Sequence, residues 1–392
     1  MTEAEARSGG RIQVARAEHR DADELAFLAA HDPGPRPPGW RLTPAAVVRY
    51  VMGSGGEALK LAKGAAVDGM AASMVIAAKF VGDRALVERC VVTLAGERGL
   101  LLVGEPGTAK SMLSELLAAG ISGDSGLTVQ GTAGTTEEQL RYGWNYALLL
   151  AQGPTPAALV PSPLLTAMRR GALARVEEVT RCLPEVQDAL VSIMSDRRLA
   201  VPELADHDDG GSVAALEGFN IIATANLRDR GVSEMSAALK RRFNFEVVPP
   251  IADLAAEVDL VRRQATATLE RRGRDLNVDD AVLEALVTAF RDLRSGHTVE
   301  GWNVEKPTTV MSTAEAVGVA TSLALQTAYF EGGRDALTLV PGYLLGVVRK
   351  DDAADQARLL GYWDSAVKRR AEGGARLWKQ LYELRPVLEA PT

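Results

Sequence analysis

Short apolar runs alternate with helix-like patterns through the middle of the chain. Five runs have the length and composition of buried strands, and they lie at 100–103, 127–130, 172–176, 219–225 and 243–248. Between them, apolar residues recur with the spacing of an amphipathic helix, for example over 112–119. Alternation of this kind is typical of a parallel sheet with helices on both faces. The pattern therefore predicts an α/β fold.

The pattern changes on both sides of this region. Beyond Pro249 and Pro250 the strand signals stop, and long helical patterns follow. Before it, Thr43 and Pro44 have the sequence of a helix start, which predicts a helix over 45–52. The predicted segments are a partly flexible lead-in with one helix (1–69), an α/β nucleotide-binding domain (70–250), an all-helical domain (251–350) and a helical C-terminal extension (351–392).

Composition and charge narrow the classes of protein. The 392 residues are 47% hydrophobic and 24% charged, as in soluble globular chains. A formal net charge of −7 argues against a dedicated nucleic-acid binder, which normally carries a basic surplus. Two cysteines, Cys90 and Cys182, favour neither a disulfide framework nor a zinc site. Without a long apolar run or a signal-peptide core, we expect a cytoplasmic protein with no membrane partner.

The segment 99–111 carries the most specific chemistry. An apolar run is followed by a glycine-bearing turn, then by Lys110, Ser111 and a helical pattern. This is the order of a P-loop, in which a strand, a loop of backbone N–H groups and a helix N-terminus surround phosphate. We expect Lys110 to contact the β- and γ-phosphates of ATP and the Ser111 hydroxyl to bind Mg²⁺. Ala109 stands where the pattern normally has its last glycine, and an ordinary strand-to-helix turn is the alternative.

The predicted nucleotide-binding residues are Gly104, Glu105, Pro106, Gly107, Thr108, Ala109, Lys110, Ser111 and Met112.

Two adjacent acids follow the third apolar run. We assign Glu177 to the metal ion and Glu178 to activation of the attacking water, the two roles that hydrolysis adds to nucleotide binding. Because successive strand residues point to opposite faces, both acids serve one site only if the chain changes path at the strand end. The alternative is a pair of acids that simply opens a helix.

Two more polar residues adjoin apolar runs. Asn226 directly follows the run 219–225, where its amide would face the γ-phosphate or the lytic water; capping of the following loop is the alternative. Arg242 precedes the last run, and an arginine that reaches a neighbouring subunit's γ-phosphate offsets transition-state charge. For Arg242 a solvated basic turn is the alternative.

In this order, the four signals resemble the AAA+ ATPases, and specifically the MoxR family within the helix-2-insert clade. Residues 104–111 resemble the Walker A motif and 173–178 the Walker B motif. The stretch 177–190 is similar to that family's Asp-Glu-x-Asn-Arg and Pro-x-x-Gln-x-Ala-Leu-Leu sequences. Ala-Thr-Ala-Asn at 223–226 resembles sensor 1, and Arg242 stands at the arginine-finger position.

The resemblance extends over about residues 70–350 and includes Val-Gly-Asp at 81–83, similar to a Val-Gly-Gln lead-in near the adenine. It implies a P-loop NTPase sheet sandwiched by helices and followed by a helical lid. It also implies a helix-2 insert over 137–161, a β-hairpin over 197–217 and a ring-shaped homo-oligomer, hexameric by the family resemblance.

For function, the resemblance implies a chaperone-like motor that hydrolyses ATP with Mg²⁺. Its partner would be a protein substrate or a protein that carries a von Willebrand factor A domain. Three positions depart from the family pattern: Glu177 replaces the usual aspartate, Arg175 interrupts a normally apolar strand, and Ala314 stands at the sensor 2 arginine. A nucleotide-gated assembly scaffold with little hydrolysis and a nucleic-acid motor stay open as alternatives.

Two other stretches have ordinary interpretations. Residues 206–211 are of metal-binding types but lack the spacing of a metal motif, so a solvated hairpin turn is favoured. The basic run at 367–370, near Trp378, predicts a charged helix face whose aromatic neighbours pack against the helical domain, rather than a nucleic-acid contact.

Overall fold

A computed structural model of the chain describes residues 13–61, 69–206, 211–226, 233–330, 335–350, 352 and 354–389. Its residues group into two compact units, one within 1–105 and 109–249 and the other within 106–108 and 250–392. These units are coarser than the four segments predicted from the sequence, and that finer division stays a prediction. None of the described helices has both the length and the apolar composition needed to span a bilayer.

The first unit contains ten α-helices, two short 3-10 helices (Val179–Arg181 and Pro202–Leu204) and eleven strands among its described residues. The helices are α1 (Ala17–Arg20), α2 (Ala22–His31), α3 (Pro44–Met52), α4 (Arg84–Ala95), α5 (Lys110–Ser122), α6 (Glu137–Leu140), α7 (Tyr146–Gln152), α8 (Pro163–Arg170), α9 (Pro184–Asp196) and α10 (Ala237–Lys240). The strands are β1 (Ala58–Lys60), β2 (Ser73–Val75), β3 (Gly99–Val103), β4 (Thr128–Gln130), β5 (Tyr142–Trp144), β6 (Leu159–Pro161), β7 (Leu173–Glu177), β8 (Arg198–Ala200), β9 (Ser212–Ala214), β10 (Asn220–Ala225) and β11 (Phe243–Val247).

Five of these strands form one parallel sheet in the order β11-β3-β10-β7-β4. They are the five apolar runs that the sequence predicts as strands, with bounds that differ by a residue or two. The register places Val103 opposite Ala225 and Glu177 opposite Gln130, so the carboxyl ends of neighbouring strands meet at one edge. The predicted fold class, a parallel P-loop NTPase sheet sandwiched by helices, is confirmed.

The sheet is buried on both faces because its strand residues are apolar at successive positions. In β3, Leu100 and Leu102 join one apolar cluster, whereas Leu101 and Val103 join the other. The first cluster also contains Tyr50 and other residues of the N-terminal helices, so residues of the predicted lead-in contribute to this core. Burial on both faces explains why these strands are apolar runs and do not alternate with polar residues.

Two hairpins extend the sheet domain. The antiparallel pair β5–β6 carries α7 between its strands, within the range predicted as a helix-2 insert. The antiparallel pair β8–β9 lies within the range predicted as a hairpin before sensor 1. Residues 207–210, which include most of the acidic stretch at 206–211, lie outside the described residues, so its predicted hairpin-turn conformation stays a prediction.

The second unit consists of helices joined by loops in the part of the chain that the structure describes. Its helices are α11 (Leu254–Glu270), α12 (Asp280–Ser295), α13 (Thr313–Tyr329), α14 (Ala336–Val348), α15 (Ala354–Tyr362), α16 (Lys368–Glu372) and α17 (Arg376–Glu383). A π-helical segment, Trp363–Val367, joins α15 to α16. Its apolar cluster includes Phe290 of α12 and Trp363, so helices from both sides of residue 350 share one core. The helical character expected beyond Pro250 is confirmed.

Buried ionic groups hold this unit together. Glu257 is fully buried and accepts hydrogen bonds from Arg291 at 2.9 Å and Arg294 at 2.9 and 3.0 Å, as well as from the Thr313 hydroxyl at 2.6 Å. The segment in which the resemblance would place the sensor 2 arginine begins α13, with Ser312 as its cap and the Thr313 hydroxyl bonded to Glu257 of the same unit.

A second buried acid fixes the loop before α13. Asp355 accepts hydrogen bonds from the Thr308 backbone N–H at 2.9 Å and the Thr308 hydroxyl at 2.6 Å, and it pairs with Arg358. Burial alone would raise the pKa of Asp355, but the hydrogen bonds from Thr308 and Arg358 lower it to about 2. Asp355 is thereby held in its ionised form.

Candidate functional site

The predicted P-loop connects the strand β3, which lies between β11 and β10 in the sheet, to the helix α5. Gly107 and Ala109 both have left-handed backbone conformations, with φ of 78° and 64°. Glycine adopts this conformation freely, whereas alanine does so at a cost of about 1–2 kcal/mol. Glu105, Pro106 and Thr108 lie in the same loop, and Met112 lies in the first turn of α5. The fold therefore uses Ala109 at a position that suits glycine.

Lys110 is the first residue of α5 and is 5% exposed. Its ammonium group donates hydrogen bonds to the carbonyl oxygens of Gly104 at 3.1 Å and Glu105 at 2.8 Å, so the side chain lies back across the loop. Burial lowers the pKa of Lys110, and the nearby carboxylates of Glu178 and Glu177 oppose that shift. A buried cation whose hydrogen bonds to the described residues go to carbonyl oxygens is suited to exchange them for phosphate oxygens.

Glu177 is the last residue of β7 and is 5% exposed. One carboxylate oxygen accepts hydrogen bonds from the hydroxyls of Ser111 at 2.7 Å and Thr224 at 2.8 Å. The other accepts from Ser114 at 2.5 Å and from Arg175 at 2.7 Å. Burial would raise the pKa of Glu177, but Arg175 and the hydroxyl donors together lower it, so the carboxylate is ionised.

Glu178 leaves the strand direction at once. Its φ of 54° puts it in the left-handed region, which is the change of path that two adjacent acids need to serve one site. The Asn226 amide donates to both carboxylate oxygens of Glu178, at 2.9 and 3.1 Å. The Asn226 carbonyl oxygen is buried and accepts no hydrogen bond from the described residues. It is therefore an acceptor available to a water molecule or ligand.

Thr224 joins the two acids, a role that the sequence did not reveal. Its hydroxyl donates to Glu177 at 2.8 Å and accepts the backbone N–H of Glu178 at 2.9 Å. The residue is fully buried in β10, one strand away from β7. The only signal in the sequence was a polar residue inside an apolar run two positions before Asn226. A hydroxyl both donates and accepts, so Thr224 fixes the side chain of one acid and the backbone of the other.

Gly131 is a second residue that sequence reasoning missed. Its N–H donates to the Glu177 carbonyl at 2.7 Å, and a Cβ atom at this position would lie 2.4 Å from the Glu178 carbonyl oxygen. A side chain would therefore push the loop after β4 away from the two acids. The φ of Gly131 is not positive, so its backbone conformation does not require glycine. Glycine is required because the neighbouring backbone approaches too closely for a side chain.

The donor set is compatible with Mg²⁺. Among the described residues, no group of three or more His, Cys, Asp or Glu side chains could hold a metal ion alone. Mg²⁺ in nucleotide sites needs no such group, because it keeps water ligands and binds one or two protein oxygens together with phosphate. Ser111 donates its proton to Glu177 and keeps its lone pairs for a cation. Ser111 and Glu177 are thus suitable ligands, directly or through water.

Arg242 is not part of this cluster. Phe243, the next residue, pairs with Gly99 at the start of β3, whereas the P-loop follows the end of that strand. The Arg242 guanidinium donates to the Ser195 hydroxyl and to the Ala238 carbonyl, both at 2.5 Å. Strand β3 separates Arg242 from the P-loop of its own chain, so the arginine-finger assignment stays a prediction about a neighbouring subunit.

The basic run at 367–370 differs from its prediction at one residue. Lys368 and Arg369 are exposed, as a charged helix face requires. Arg370 is 8% exposed and instead pairs with Asp292 and Glu300, both at 2.7 Å. Its guanidinium also lies 4.6 Å from the centre of the Trp378 ring. Periodicity could not show this, because burial of a charged head depends on partners from other helices.

The order of the sheet and the P-loop cluster at its edge define a P-loop NTPase of the AAA+ class. Family profiles agree, since residues 99–243 match the AAA domain of the dynein-related subfamily and 255–389 match the YehL-like AAA+ ATPase C-terminal domain. The chain is 47% identical over 366 residues to YehL, an uncharacterized protein of Escherichia coli K12, covering 93% of this chain and 94% of that protein. The chain therefore belongs to the YehL-like AAA+ ATPases.

Weaker similarities cover part of the chain. An uncharacterized protein of Staphylococcus haemolyticus, SH1500, is 25% identical over 198 residues, which are 50% of this chain and 69% of that protein. Among solved structures, NtrX from Brucella abortus in complex with ATP is 14% identical, with a TM-score of 0.46 over 80% of this chain and 70% of that chain.

Proposed function

We propose that this chain binds ATP with Mg²⁺ at the P-loop and hydrolyses it. One observation carries the proposal: a buried lysine, a hydroxyl, two carboxylates and an amide meet where β3, β7 and β10 end. The residues are Lys110, Ser111, Glu177, Glu178 and Asn226. Membership of an AAA+ ATPase family supports the same chemistry.

Each side chain has a role that its present contacts support. Lys110 would transfer its hydrogen bonds from the loop carbonyls to phosphate oxygens, and Ser111 with Glu177 would hold the metal ion. Bound Mg²⁺ supplies positive charge that offsets charge developing on the phosphates. Glu178 would accept a proton from the attacking water, while Asn226 orients the Glu178 carboxylate and offers to that water its carbonyl oxygen, which has no partner among the described residues.

Nucleotide titration and phosphate release test this proposal. We expect Lys110→Ala to abolish binding of a fluorescent ATP analogue or its turnover, and Glu178→Gln to bind but release no phosphate. Lys379→Ala, which removes an exposed lysine of α17, is the matched control and should behave as wild type. Wild-type binding and turnover by the Lys110→Ala protein would refute the P-loop assignment. ATP-dependent assembly with no more phosphate release than Glu178→Gln would refute hydrolysis and favour a scaffold.

We further propose that the chain acts as a chaperone-like motor of the MoxR type, in a ring-shaped homo-oligomer. The position of Arg242 supports a site shared between subunits, because strand β3 keeps it away from its own P-loop. We expect Arg242→Ala to bind nucleotide without hydrolysing it, while Arg241→Ala, a change at the exposed neighbouring arginine, leaves turnover unchanged.

A mixing experiment tests the shared site directly. Arg242→Ala subunits keep an intact P-loop, and Lys110→Ala subunits keep an intact Arg242. If Arg242 acts on a neighbour, mixed oligomers regain part of the activity that each variant alone has lost. No recovery in verified mixed oligomers, or wild-type turnover by Arg242→Ala alone, would refute the shared site.

The proposed partner is a protein, either a substrate or a partner with a von Willebrand factor A domain. The Glu178→Gln variant should stall with ATP bound, so a protein partner should co-purify with it in ATP and dissociate without nucleotide. Stimulation of the ATPase by DNA or RNA, in place of any protein partner, would refute this part of the proposal and favour a nucleic-acid motor.

A further inference from the structure

Arg175 is an unexpected residue in the strand that ends at Glu177. The strand β7 lies inside the parallel sheet, with β10 on one side and β4 on the other, and its other residues are buried. A charged side chain in such a strand is costly unless it is paired and hydrogen-bonded. The contacts of Arg175 show how this cost is met.

The Arg175 guanidinium is bonded on every nitrogen. Its Nε donates to the Ser114 hydroxyl at 2.9 Å, and Nη1 donates to the Ser125 carbonyl at 2.9 Å. Its Nη2 donates to the Ser111 carbonyl at 3.0 Å and to Glu177 at 2.7 Å. These contacts tie the strand β7 to the start of α5, where the predicted metal ligand Ser111 lies, and to the loop after that helix.

The ion pair with Glu177 follows from strand geometry. Residues two positions apart in a strand point to the same side, so Arg175 and Glu177 lie side by side. Their side chains are only 11% and 6% exposed, respectively, so water screens the pair weakly. Arg175 therefore places a fixed positive charge against the carboxylate that would serve the metal ion.

We propose that Arg175 is a positioning residue that holds the Glu177 carboxylate in place and offsets its charge, so that nucleotide binding at this P-loop depends weakly on Mg²⁺. The inference rests on the proposed function. In the absence of Mg²⁺, the Arg175 charge offsets the Glu177 charge next to Ser111. With an apolar residue at position 175, the net charge there would be more negative. The nucleotide phosphates are then repelled less by the wild-type site in the absence of Mg²⁺, and Mg²⁺ increases the nucleotide affinity by a smaller factor when it binds.

The measurement is the ratio of nucleotide dissociation constants in EDTA and in Mg²⁺, obtained by titrating a fluorescent ADP analogue. For the wild-type chain we expect a ratio below about tenfold. The reason is that an adjacent opposite charge typically changes the equilibrium constant of a charged group by a factor of about ten or more. A larger wild-type ratio would overturn the inference. No variant is needed for this first test.

Arg175→Met should raise the ratio by about tenfold or more, because the Glu177 charge is then uncompensated. Arg175→Gln keeps a polar head among the same acceptors and should show the same change, so it provides a second test if the methionine variant is unstable. Arg175→Lys keeps the charge and should stay within about threefold of wild type. Arg170→Met, which removes a surface arginine that pairs with Asp124, should leave the ratio unchanged.

A merely structural role for Arg175 gives a different result. Loss of packing would weaken nucleotide binding equally with and without Mg²⁺, so the ratio would not move. An unchanged ratio in a folded Arg175→Met or Arg175→Gln protein refutes the inference but leaves the proposed ATPase intact. Absence of nucleotide binding by the wild-type chain would instead refute the proposed function itself.

Discussion

Thr224 offers the sharpest test of how the candidate site is held together. The substitution Thr224→Val exchanges a hydroxyl for a methyl group of similar size, so the packing of β10 is preserved. It removes the donor to Glu177 and the acceptor for the Glu178 N–H, which lie at 2.8 and 2.9 Å. Both contacts are buried, so water cannot replace them without disturbing the sheet.

The magnitude follows from these two contacts. A hydrogen bond to a charged group contributes about 1.5–3 kcal/mol, and a buried backbone N–H left without a partner costs about 1–3 kcal/mol. Glu177 keeps its donors Ser111, Ser114 and Arg175, so the lower end of each range applies, and we expect a loss of about 2.5 kcal/mol in unfolding free energy. Misplacement of a reacting group by about 1 Å lowers turnover by about 100-fold.

Urea denaturation and phosphate release at saturating ATP measure the two effects. Thr224→Ser keeps the hydroxyl and should recover most of the stability and turnover. Thr321→Val removes a buried hydroxyl that donates to a carbonyl of its own helix at 2.8 Å and has no other hydrogen-bond partner in the described part of the chain, so it should leave turnover unchanged. If Thr224→Val unfolds within about 0.5 kcal/mol of wild type and keeps its turnover, the two contacts do not hold the site.

Three further predictions concern stability. Ala109→Gly should stabilise the chain by about 0.5–1 kcal/mol, because relief of the left-handed strain exceeds the entropy cost of glycine; a lower melting temperature would contradict this. Glu257→Gln should destabilise the helical unit by about 3–5 kcal/mol in urea, since its arginine partners lose their counter-charge, while the exposed Glu284→Gln should have little effect. The pKa of Asp355 is lowered from 3.8 to about 2, so the ionised carboxylate contributes its full stabilisation above pH 3.8 and loses it as the pH falls through about 2. In acid titration, the Asp355→Asn protein should lack this pH-dependent loss of unfolding free energy. An acid transition identical to that of the wild type would refute the prediction.

The hydrophobic pattern determined the sheet. Strands buried on both faces must be apolar at successive positions, so the five runs are visible without any tertiary information. The glycine turn before Lys110 likewise identified a P-loop, because strand, turn and helix are contiguous there. Glu178 and Asn226 could be predicted to lie in one site because the carboxyl ends of parallel strands share one edge of the sheet. These predictions needed local sequence and a simple topology.

Contacts between distant residues were decided by the tertiary structure alone. Arg175 had to be treated as an interruption of an apolar strand, because its acceptors come from α5, the loop after it and Glu177. Thr224 joins two acids from a strand more than 40 positions further along. Arg370 belongs to a basic run in the sequence, yet burial and two acidic partners turn it inward.

The physical reason is the range of the forces involved. Apolar periodicity and turn chemistry depend on neighbours along the chain, so the sequence alone determined the five strands of the main sheet, the fold class and the position of the P-loop. The free energy of a buried charge or hydroxyl depends on which partners the folded chain brings within about 3 Å, and short-range sequence does not contain that information. Only the folded chain decided which polar residues support the site.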